Sequence, residues 1–341
     1  MKKLVCLTLA LMLALTAMSV PALAEGTIKR IGVLKLLNMS EAEFVAIQKL
    51  RCEAGEMMNE EGVAVAEHPY YDGMIDENPE IIYFDTLNSM VMALEAGQVD
   101  AIDLNRSTAE YLCANNDGLA ILMDYDVEEP TVLTDFVYNS LLNFDYALML
   151  TKDNQALADE LSDAVIAMED DGTLAKLADT YISGAINGEI PDAETPVIEG
   201  AETIRVAVTG DLPPMDYVSA DGEPVGFNEA VLAELSTRVG KNFELVDITA
   251  DARPVALASG LVDVVFWSRG CMGVKDMLEL DVPWQDLFEI EDEEDIAMAE
   301  KVDQVLASEL DYEAYGKMDI PDELTITSNY FNDSIVLVAK E

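Results

Sequence analysis

The chain has 341 residues, of which 50% are hydrophobic and 25% charged, and this composition indicates a globular protein with two domains or two lobes. Its formal net charge of −48 excludes nucleic acid as a partner and disfavours anionic membrane surfaces, because a strongly acidic surface repels phosphate groups. The charge favours solubility, and calcium binding by acidic loops is the alternative interpretation.

Residues 1–24 have the pattern of a secretory signal. Lys2 and Lys3 precede an apolar run, and the small-x-small sequence Ala22-Leu23-Ala24 follows it as a cleavage site. No later stretch of the sequence is long and apolar enough to span a bilayer. We therefore expect cleavage after Ala24 and an exported, soluble protein, either periplasmic or extracellular.

The cysteines suggest neither a disulfide framework nor a metal site. Cys6 lies in the signal, which leaves Cys52, Cys113 and Cys271, an odd number that cannot all pair internally. Small buried hydrophobic side chains are the favoured interpretation, and one disulfide with one free thiol is the alternative. Their spacing matches no zinc or redox motif, and we expect no cofactor.

In the first half of the mature chain, hydrophobic periodicity predicts strands that alternate with helices. Leu87, Met90, Val91 and Leu94 are spaced i, i+3, i+4 and i+7, which predicts a buried helical stripe. Ser107 is expected to cap the next helix. The expected strands are 28–33, 81–84, 99–104 and 144–151. The expected helices are 40–58 (with a capping box at 40–43), 107–112, 155–168 and 173–182, and 59–80 is expected to be a loop.

In the second half, residues 204–266 predict the order strand, turn, helix, strand, helix, strand. Asn228 is expected to be the N-cap of the long helix, and Gly240 is expected to end it. The expected strands are 204–208, 243–248 and 262–266, after a linker at 184–202. Beyond 266 the pattern weakens to an acidic solvated run at 289–295, a helix at 299–310 and strands at 324–327 and 334–340.

One sequence pattern occurs in both halves. Ala93-Leu94-x-Ala96-Gly97-x-Val99-Asp100 is repeated as Ala256-Leu257-x-Ser259-Gly260-x-Val262-Asp263, each time where a helix ends and a strand begins. Strands that alternate with helices indicate a parallel sheet with right-handed crossovers. The sequence therefore predicts an α/β fold with two similar βαβ units that form two lobes facing a cleft.

Three motifs resemble the N-terminal lobe of the family 3 extracellular solute-binding proteins, the amino-acid receptors of ABC importers. They are Val206-Ala207-Val208-Thr209-Gly210-Asp211-Leu212-Pro213-Pro214-Met215, Asp221-Gly222-x-Pro224-Val225-Gly226-Phe227-Asn228 and Ala256-Leu257-x-Ser259-Gly260-x-Val262-Asp263. The resemblance implies a periplasmic-binding-protein-like α/β fold of type II, with two βαβ lobes around a cleft.

The first half resembles the second lobe of the same family, notably at Tyr83-Phe84-Asp85-Thr86 and over residues 146–181. The resemblance therefore implies one two-lobed protein in circularly permuted order. Residues 28–185 would be the family's second lobe with its C-terminal helices, 186–202 a linker, and 203–341 the family's N-terminal lobe. A tandem of two reduced domains is the alternative. Tyr146 and Tyr330 are implied to lie near the two hinge strands.

Ligands of open α/β sheets bind beyond the carboxyl ends of the strands, near helix N-termini. By resemblance, the family's carboxylate-binding arginine falls at Lys275 and its ammonium-binding aspartate at Asn105. Arg269 and Asp103 are the expected substitutes, and a peptide, a modified amino acid or another polar solute stays open as the ligand. The candidate ligand-binding residues are Asp211, Met215, Tyr217, Trp267, Ser268, Arg269, Ser40, Asp103, Asn105 and Arg106.

The resemblance implies an exported monomer that captures a small polar solute, amino-acid-like, for an ABC permease. Two alternatives are an exported binding or co-receptor module that has lost amino-acid binding and, less favoured, a dehydratase-like enzyme on the same fold. The sequence has no Gly-x-Ser-x-Gly elbow, no phosphate loop and a single histidine, His68. We therefore expect function to lie in binding rather than in catalysis.

Overall fold

A computed structural model describes residues 27–35, 73–122, 143–189, 195–219, 222–249, 252–270 and 323–340. The described strands are β1 Ile28–Leu34, β2 Ile75–Phe84, β3 Ala101–Asn105, β4 Leu119–Leu122, β5 Asn143–Thr151, β6 Thr203–Val208, β7 Asp211–Leu212, β8 Asp216–Val218, β9 Pro224–Val225, β10 Asn242–Asp247, β11 Val264–Gly270, β12 Leu324–Ile326 and β13 Phe331–Lys340. The described helices of six or more residues are α1 Leu87–Glu95, α2 Arg106–Asn115, α3 Gln155–Asp170, α4 Thr173–Ala178, α5 Phe227–Val239 and α6 Arg253–Ala258. The predicted α/β class is confirmed.

Ten strands form one continuous sheet in the order β10-β6-β11-β5-β13-β3-β1-β2, with β12 beside β5 and β4 beside β13. A parallel unit of three strands lies at each end: β2-β1-β3 from the first half and β10-β6-β11 from the second. In both units the strand that comes first in the chain lies in the middle. The two units therefore share one topology, as the repeated sequence pattern predicts.

Each parallel unit is extended by an antiparallel strand from the other half of the chain. Strand β5 pairs with β11, and β13 pairs with β3. The two exchanged strands also pair with each other, from Phe331 opposite Tyr146 to Ser334 opposite Asn143. Two strands that run side by side thus connect the halves of the sheet.

The apolar core also combines side chains from both halves of the chain. One buried cluster joins β5 and α3 to β6, α5 and β11, although β5 and α3 precede the second half in sequence. A second cluster joins α1 and α2 to β3 and β13, and it contains the predicted stripe with Met90 at 0% and Leu94 at 1% exposure. The stripe prediction is confirmed, since Leu87, Met90, Val91 and Leu94 are all buried.

The repeated sequence pattern ends in the same ion pair in both units. Arg205 Nε and Nη2 donate to the two carboxylate oxygens of Asp263 at 3.0 and 2.8 Å, and the Arg205 backbone N–H donates to it as well. Arg30 and Asp100 make the equivalent contacts between β1 and the start of β3. Each carboxylate therefore joins two parallel strands at their amino ends.

We expect Asp263→Ala to lower the free energy of unfolding by about 1–3 kcal/mol, because it removes a charged acceptor shared by three N–H groups. Urea unfolding followed by circular dichroism measures the loss. Asp100→Ala should produce a loss of similar size, and Asp247→Ala, at an exposed position of β10, should produce none. An Asp263→Ala midpoint equal to that of Asp247→Ala would contradict the expectation.

Two helix caps differ from the sequence prediction. Helix α5 begins at Phe227 after Gly226, and Asn228 lies inside it, where its side chain accepts a hydrogen bond from the Tyr330 hydroxyl at 2.9 Å. Helix α2 begins at Arg106, so Ser107 lies inside the helix and is not its N-cap. The Ser107 N–H donates to the Asp333 carboxylate. In both cases a partner distant in sequence replaces the expected local bond.

Strand β2 begins at Ile75, within the predicted loop. It is the outer neighbour of β1, and its register shifts between the pairs Ile28–Ile75 and Arg30–Glu80, which places Pro79 in a bulge. A proline at a bulge of an edge strand removes no ladder hydrogen bond, so its presence did not exclude a strand. Strand β4 was not predicted. Several sequence predictions concern residues outside the described ranges. They are the signal at 1–24, the helix at 40–58, His68, Cys52, Cys271, the acidic run at 289–295 and the helix at 299–310.

Within the described ranges, no helix has both the length and the apolar character that a bilayer crossing requires.

Candidate functional site

The two parallel units meet at the carboxyl ends of their strands. Asp211 on β7, just beyond β6, lies beside the N-terminus of α1, where the backbone N–H of Leu87 lowers the pKa of its carboxyl. The ring of Tyr217 on β8 lies 5.8 Å from the ring of Tyr111 on α2, measured between centroids. These two contacts place the turn after β6 against the helices of the first-half unit.

A buried carboxylate fixes that turn. Asp216 is 2% exposed, and its oxygens accept hydrogen bonds from the backbone N–H groups of Thr209 and Gly210. Burial raises the pKa of the neighbouring Asp211, hydrogen bonds from Thr209 and the Leu87 N–H lower it, and the charge of Asp216 raises it further. The net effect is a raised pKa, so Asp211 takes up a proton more readily than an exposed aspartate.

Arg253 is the positive charge beside these two carboxylates. It is the first residue of α6, its side chain is only 11% exposed, and its Nη2 lies 3.8 Å from Asp216. Nη1 donates to the Phe266 carbonyl at 3.3 Å, while Nε is buried and has no hydrogen-bond partner. Burial lowers the pKa of Arg253, against the charges of Asp216 and Asp211, which raise it. A guanidinium with unused buried donors has capacity for another acceptor.

Glu229 is a second buried acid, in the first turn of α5. It is 2% exposed, and its Oε2 has no hydrogen-bond partner. Burial, followed by the charge of Asp216, raises the pKa of Glu229 to about 9. The side chain is therefore neutral at pH 7.

On the first-half side, the polar residues surround the start of α2. Asn105 ends β3, and its buried Nδ2 has no hydrogen-bond partner. The Nε of Arg106 donates to the Ser334 hydroxyl at 2.8 Å. The Asp333 carboxylate accepts from the Ser107 N–H at 3.1 Å, and burial raises the pKa of Asp333 to about 6 despite the hydrogen bonds that lower it.

The candidate residues predicted from the sequence occupy different places. Asp211 and Tyr217 lie where the two units meet, Asn105 and Arg106 lie at the start of α2, and Asp103 is 8% exposed on β3. Met215 is completely buried in the second-half core. The sequence predicted that this strand ends at 266, but β11 continues to Gly270. Its residues Trp267, Ser268 and Arg269 pair with Ala147, Tyr146 and Asp145 on β5. Ser40 lies outside the described residues.

Sequence reasoning missed Tyr111, Arg253, Glu229 and Asp333. The signal for Arg253 was its place directly before Pro254 at the start of a helix that follows a strand, which puts it at the carboxyl edge of the sheet. The others carry no such signal, because helical periodicity explains Tyr111 and Glu229 equally well as ordinary packing or surface residues.

The two tyrosines predicted near the hinge lie where β5 and β13 pair. The Tyr330 N–H donates to the Tyr146 carbonyl at 2.8 Å, and their rings are 6.2 Å apart. The Tyr330 ring also lies 6.0 Å from those of Phe227 and Phe266. Among the residues that the structure describes, no cluster of three or more histidines, cysteines or acids is arranged to hold a metal ion.

Comparison with family models matches residues 204–269 to the bacterial extracellular solute-binding proteins, family 3. The resemblance that the sequence motifs indicate is thereby confirmed for this segment. The matched family consists of solute-binding proteins and not of enzymes, in agreement with the prediction. No curated protein matches the chain.

Solved structures that the chain matches include three bacterial proteins. One is a zinc-bound ligand-binding component of an ABC-type import system from Staphylococcus aureus, at 11% identity and TM-score 0.36, over 91% of this chain and 65% of that chain. NikA from the same organism, in complex with Ni(L-His)2, matches at 10% identity and TM-score 0.37, over 76% and 57%. A putative L-cystine ABC transporter from Listeria monocytogenes matches at 9% identity and TM-score 0.33, over 93% and 83%. The chain thus spans less than two thirds of the length of the first two.

Proposed function

We propose that the protein is an exported solute-binding protein that captures a small polar solute, an amino acid or a derivative, for an ABC permease. The observation that carries this proposal is the meeting of two βαβ units at their carboxyl ends, through Asp211 and Tyr217, in a segment that matches the solute-binding family. Ligands of open α/β sheets bind at that edge. Export is supported by the signal pattern at 1–24.

Unused polar groups on both sides of this edge support a polar solute. Arg253 Nε and Asn105 Nδ2 are buried donors without an acceptor, which is unfavourable until a ligand supplies one. We assign the acidic group of the solute to Arg253, because a guanidinium binds a carboxylate through two parallel hydrogen bonds. Asp211 is the proposed acceptor for an ammonium group. The remaining proposed ligand-binding residues are Ser40, Asp103, Arg106, Met215, Tyr217, Trp267, Ser268 and Arg269.

The exchange of β5 and β13 supports the proposal that the two lobes are in permuted order. A tandem of independent domains would complete each parallel unit with a strand of its own. Here β5 from the first half extends the second-half unit, and β13 from the second half extends the first-half unit. We propose that the chain closes around a solute by bending where these two strands pair, near Tyr146 and Tyr330.

A thermal-shift screen of residues 25–341 tests the function. The panel contains the twenty L-amino acids, their amides and short peptides, each at 1 mM or a similar excess. A solute at 100 times its dissociation constant adds about 2.7 kcal/mol of stability. For a chain of this size that corresponds to a rise of several degrees, at about 2–4 °C per kcal/mol.

The pattern of shifts identifies the class of solute. A shift with free amino acids and none with their amides supports the assignment of the acidic group to Arg253, and Arg253→Gln should abolish that difference. Arg238→Gln is the matched control, because Arg238 pairs with Asp171 and Glu234 away from the edge. The absence of a shift with every solute would overturn the transport proposal and favour a module that binds a partner protein.

A further inference from the structure

Asn228, in the first turn of α5, is a buried polar residue that contacts both the turn after β6 and the paired strands. It is 3% exposed. Its backbone N–H donates to the Met215 carbonyl at 2.8 Å, and its Oδ1 accepts from the Tyr330 hydroxyl at 2.9 Å. Tyr330 is 2% exposed and lies 102 residues away in the chain. One residue thus connects two segments that are distant in sequence.

On the side of the turn, backbone hydrogen bonds continue from Asn228 into the candidate site. Met215, which accepts from Asn228, directly precedes Asp216. The buried Asp216 carboxylate accepts from the backbone N–H groups of Thr209 and Gly210. A displacement of this turn therefore also moves the N-terminal end of α5, because buried hydrogen bonds are costly to break without a replacement.

On the side of the strands, Tyr330 is fixed at the point where β13 begins to pair with β5. Its N–H donates to the Tyr146 carbonyl at 2.8 Å, and the next residue, Phe331, lies opposite Tyr146. The Tyr330 ring lies 6.0 Å from the rings of Phe227 and Phe266 and 6.2 Å from that of Tyr146. The hydroxyl therefore keeps its place relative to the paired strands, since three aromatic rings surround the ring that carries it.

The neighbouring Tyr146 shows that these aromatic surroundings do not by themselves require a bonded hydroxyl. Tyr146 is also buried, but within the described part of the chain its hydroxyl has no hydrogen-bond partner. Of these two tyrosines on the paired strands, only Tyr330 is bonded through its hydroxyl to α5. The Tyr330–Asn228 bond is therefore a specific connection rather than a general feature of the aromatic cluster.

We propose that Asn228 is a positioning residue that couples the turn of the candidate site to the strands at which the protein bends. The inference rests on the proposed function, because it involves the same turn and the same paired strands. A solute that shifts the turn moves the start of α5, and the bond from the Tyr330 hydroxyl to Asn228 passes this movement to β13. Coupling between two sites is reciprocal, so a change at Tyr330 also alters the turn.

Hydrogen–deuterium exchange of unliganded residues 25–341, followed by NMR, tests the coupling. Tyr330→Phe removes the hydroxyl and keeps the ring. It should accelerate exchange of the Thr209 and Gly210 amides about tenfold, because the turn loses a connection that limits its opening. The Asp100 amide, which is hydrogen-bonded at the amino ends of the first-half strands, should exchange at the wild-type rate.

Tyr146→Phe is the matched control, because it removes a buried hydroxyl that has no partner among the described residues. It should leave exchange of the Thr209 and Gly210 amides unchanged. Asn228→Ala removes the acceptor of the same bond. The double variant Asn228→Ala/Tyr330→Phe should therefore exchange no faster at these amides than Asn228→Ala alone.

Three outcomes would overturn the inference. The first is wild-type exchange of the turn amides in Tyr330→Phe, or equal acceleration in Tyr146→Phe. The second is equal acceleration at Asp100, which would indicate a general loss of stability. The third is an additive effect in the double variant, since the two residues would then act independently. No solute is needed, so a failed coupling is distinguishable from a failed transport proposal, which the thermal-shift screen detects.

Discussion

Gly226→Ala is expected to lower the free energy of unfolding by more than about 3 kcal/mol. Gly226 has φ of 139°, and an added Cβ would lie 2.4 Å from the carbonyl oxygen of Met215 and 2.9 Å from Glu229 Oε2. The Met215 carbonyl cannot yield easily, because it accepts the Asn228 N–H at 2.8 Å within a completely buried segment. Urea unfolding of the variant at pH 7 measures the loss.

Gly222→Ala is the matched control. Gly222 also has a positive φ, 86°, but no heavy atom lies within 4 Å of an added Cβ. It should lose only the backbone term for a left-handed residue, about 1–2 kcal/mol. Equal losses in the two variants would show that backbone conformation alone determines the effect, and the steric argument at Gly226 would then be wrong.

The second large effect is a pH dependence of stability that Glu229 controls. The pKa of Glu229 is about 9 in the folded protein, because burial disfavours its charged form, and its ordinary value is 4.5. The folded state therefore holds this proton more tightly than the unfolded state does. The associated stability is fully present below about pH 4.5 and is lost as the pH rises towards 9. Each pH unit within that window can remove up to about 1.4 kcal/mol.

Glu229→Gln should remove this part of the pH dependence and make the variant more stable than the wild type at pH 9. Urea unfolding at pH 6, 7, 8 and 9 measures it. Glu244→Gln, at an exposed position of β10, should retain the wild-type profile. If the Glu229→Gln profile runs parallel to the wild type across this range, Glu229 does not hold a proton in the folded state.

The sequence predicted the parts of the fold that local patterns determine. The stripe from Leu87 to Leu94 and the αL glycine Gly240 depend on residues close in the chain, and the structure confirms both. The two helix caps that were predicted incorrectly depend on partners that are distant in sequence. Tyr330 is 102 residues from Asn228, and Asp333 is 226 residues from Ser107. No local propensity contains that information.

The residues of the candidate site likewise include some that the sequence could predict and others that it could not. The rule that ligands bind at carboxyl ends of parallel strands was sufficient to select Asp211 and Tyr217, both of which lie where the units meet. Their partners Leu87 and Tyr111 could not be selected, because they are identified only by the way β5 and β13 bring the two halves together. Met215 was expected to be half core and half cleft wall, and its side chain is completely buried.

The exchanged strands also affect the order in which the protein can fold. Strand β13 completes the first-half sheet, yet it follows the whole second-half parallel unit in the chain and is therefore synthesised after it. Until then the open edge of β3 has unpaired backbone groups that can pair with other chains. Contacts between residues as distant as Ser107 and Asp333 also make folding slow. The assembly of this protein therefore depends on keeping the early half from aggregating until β13 is available to pair with β3.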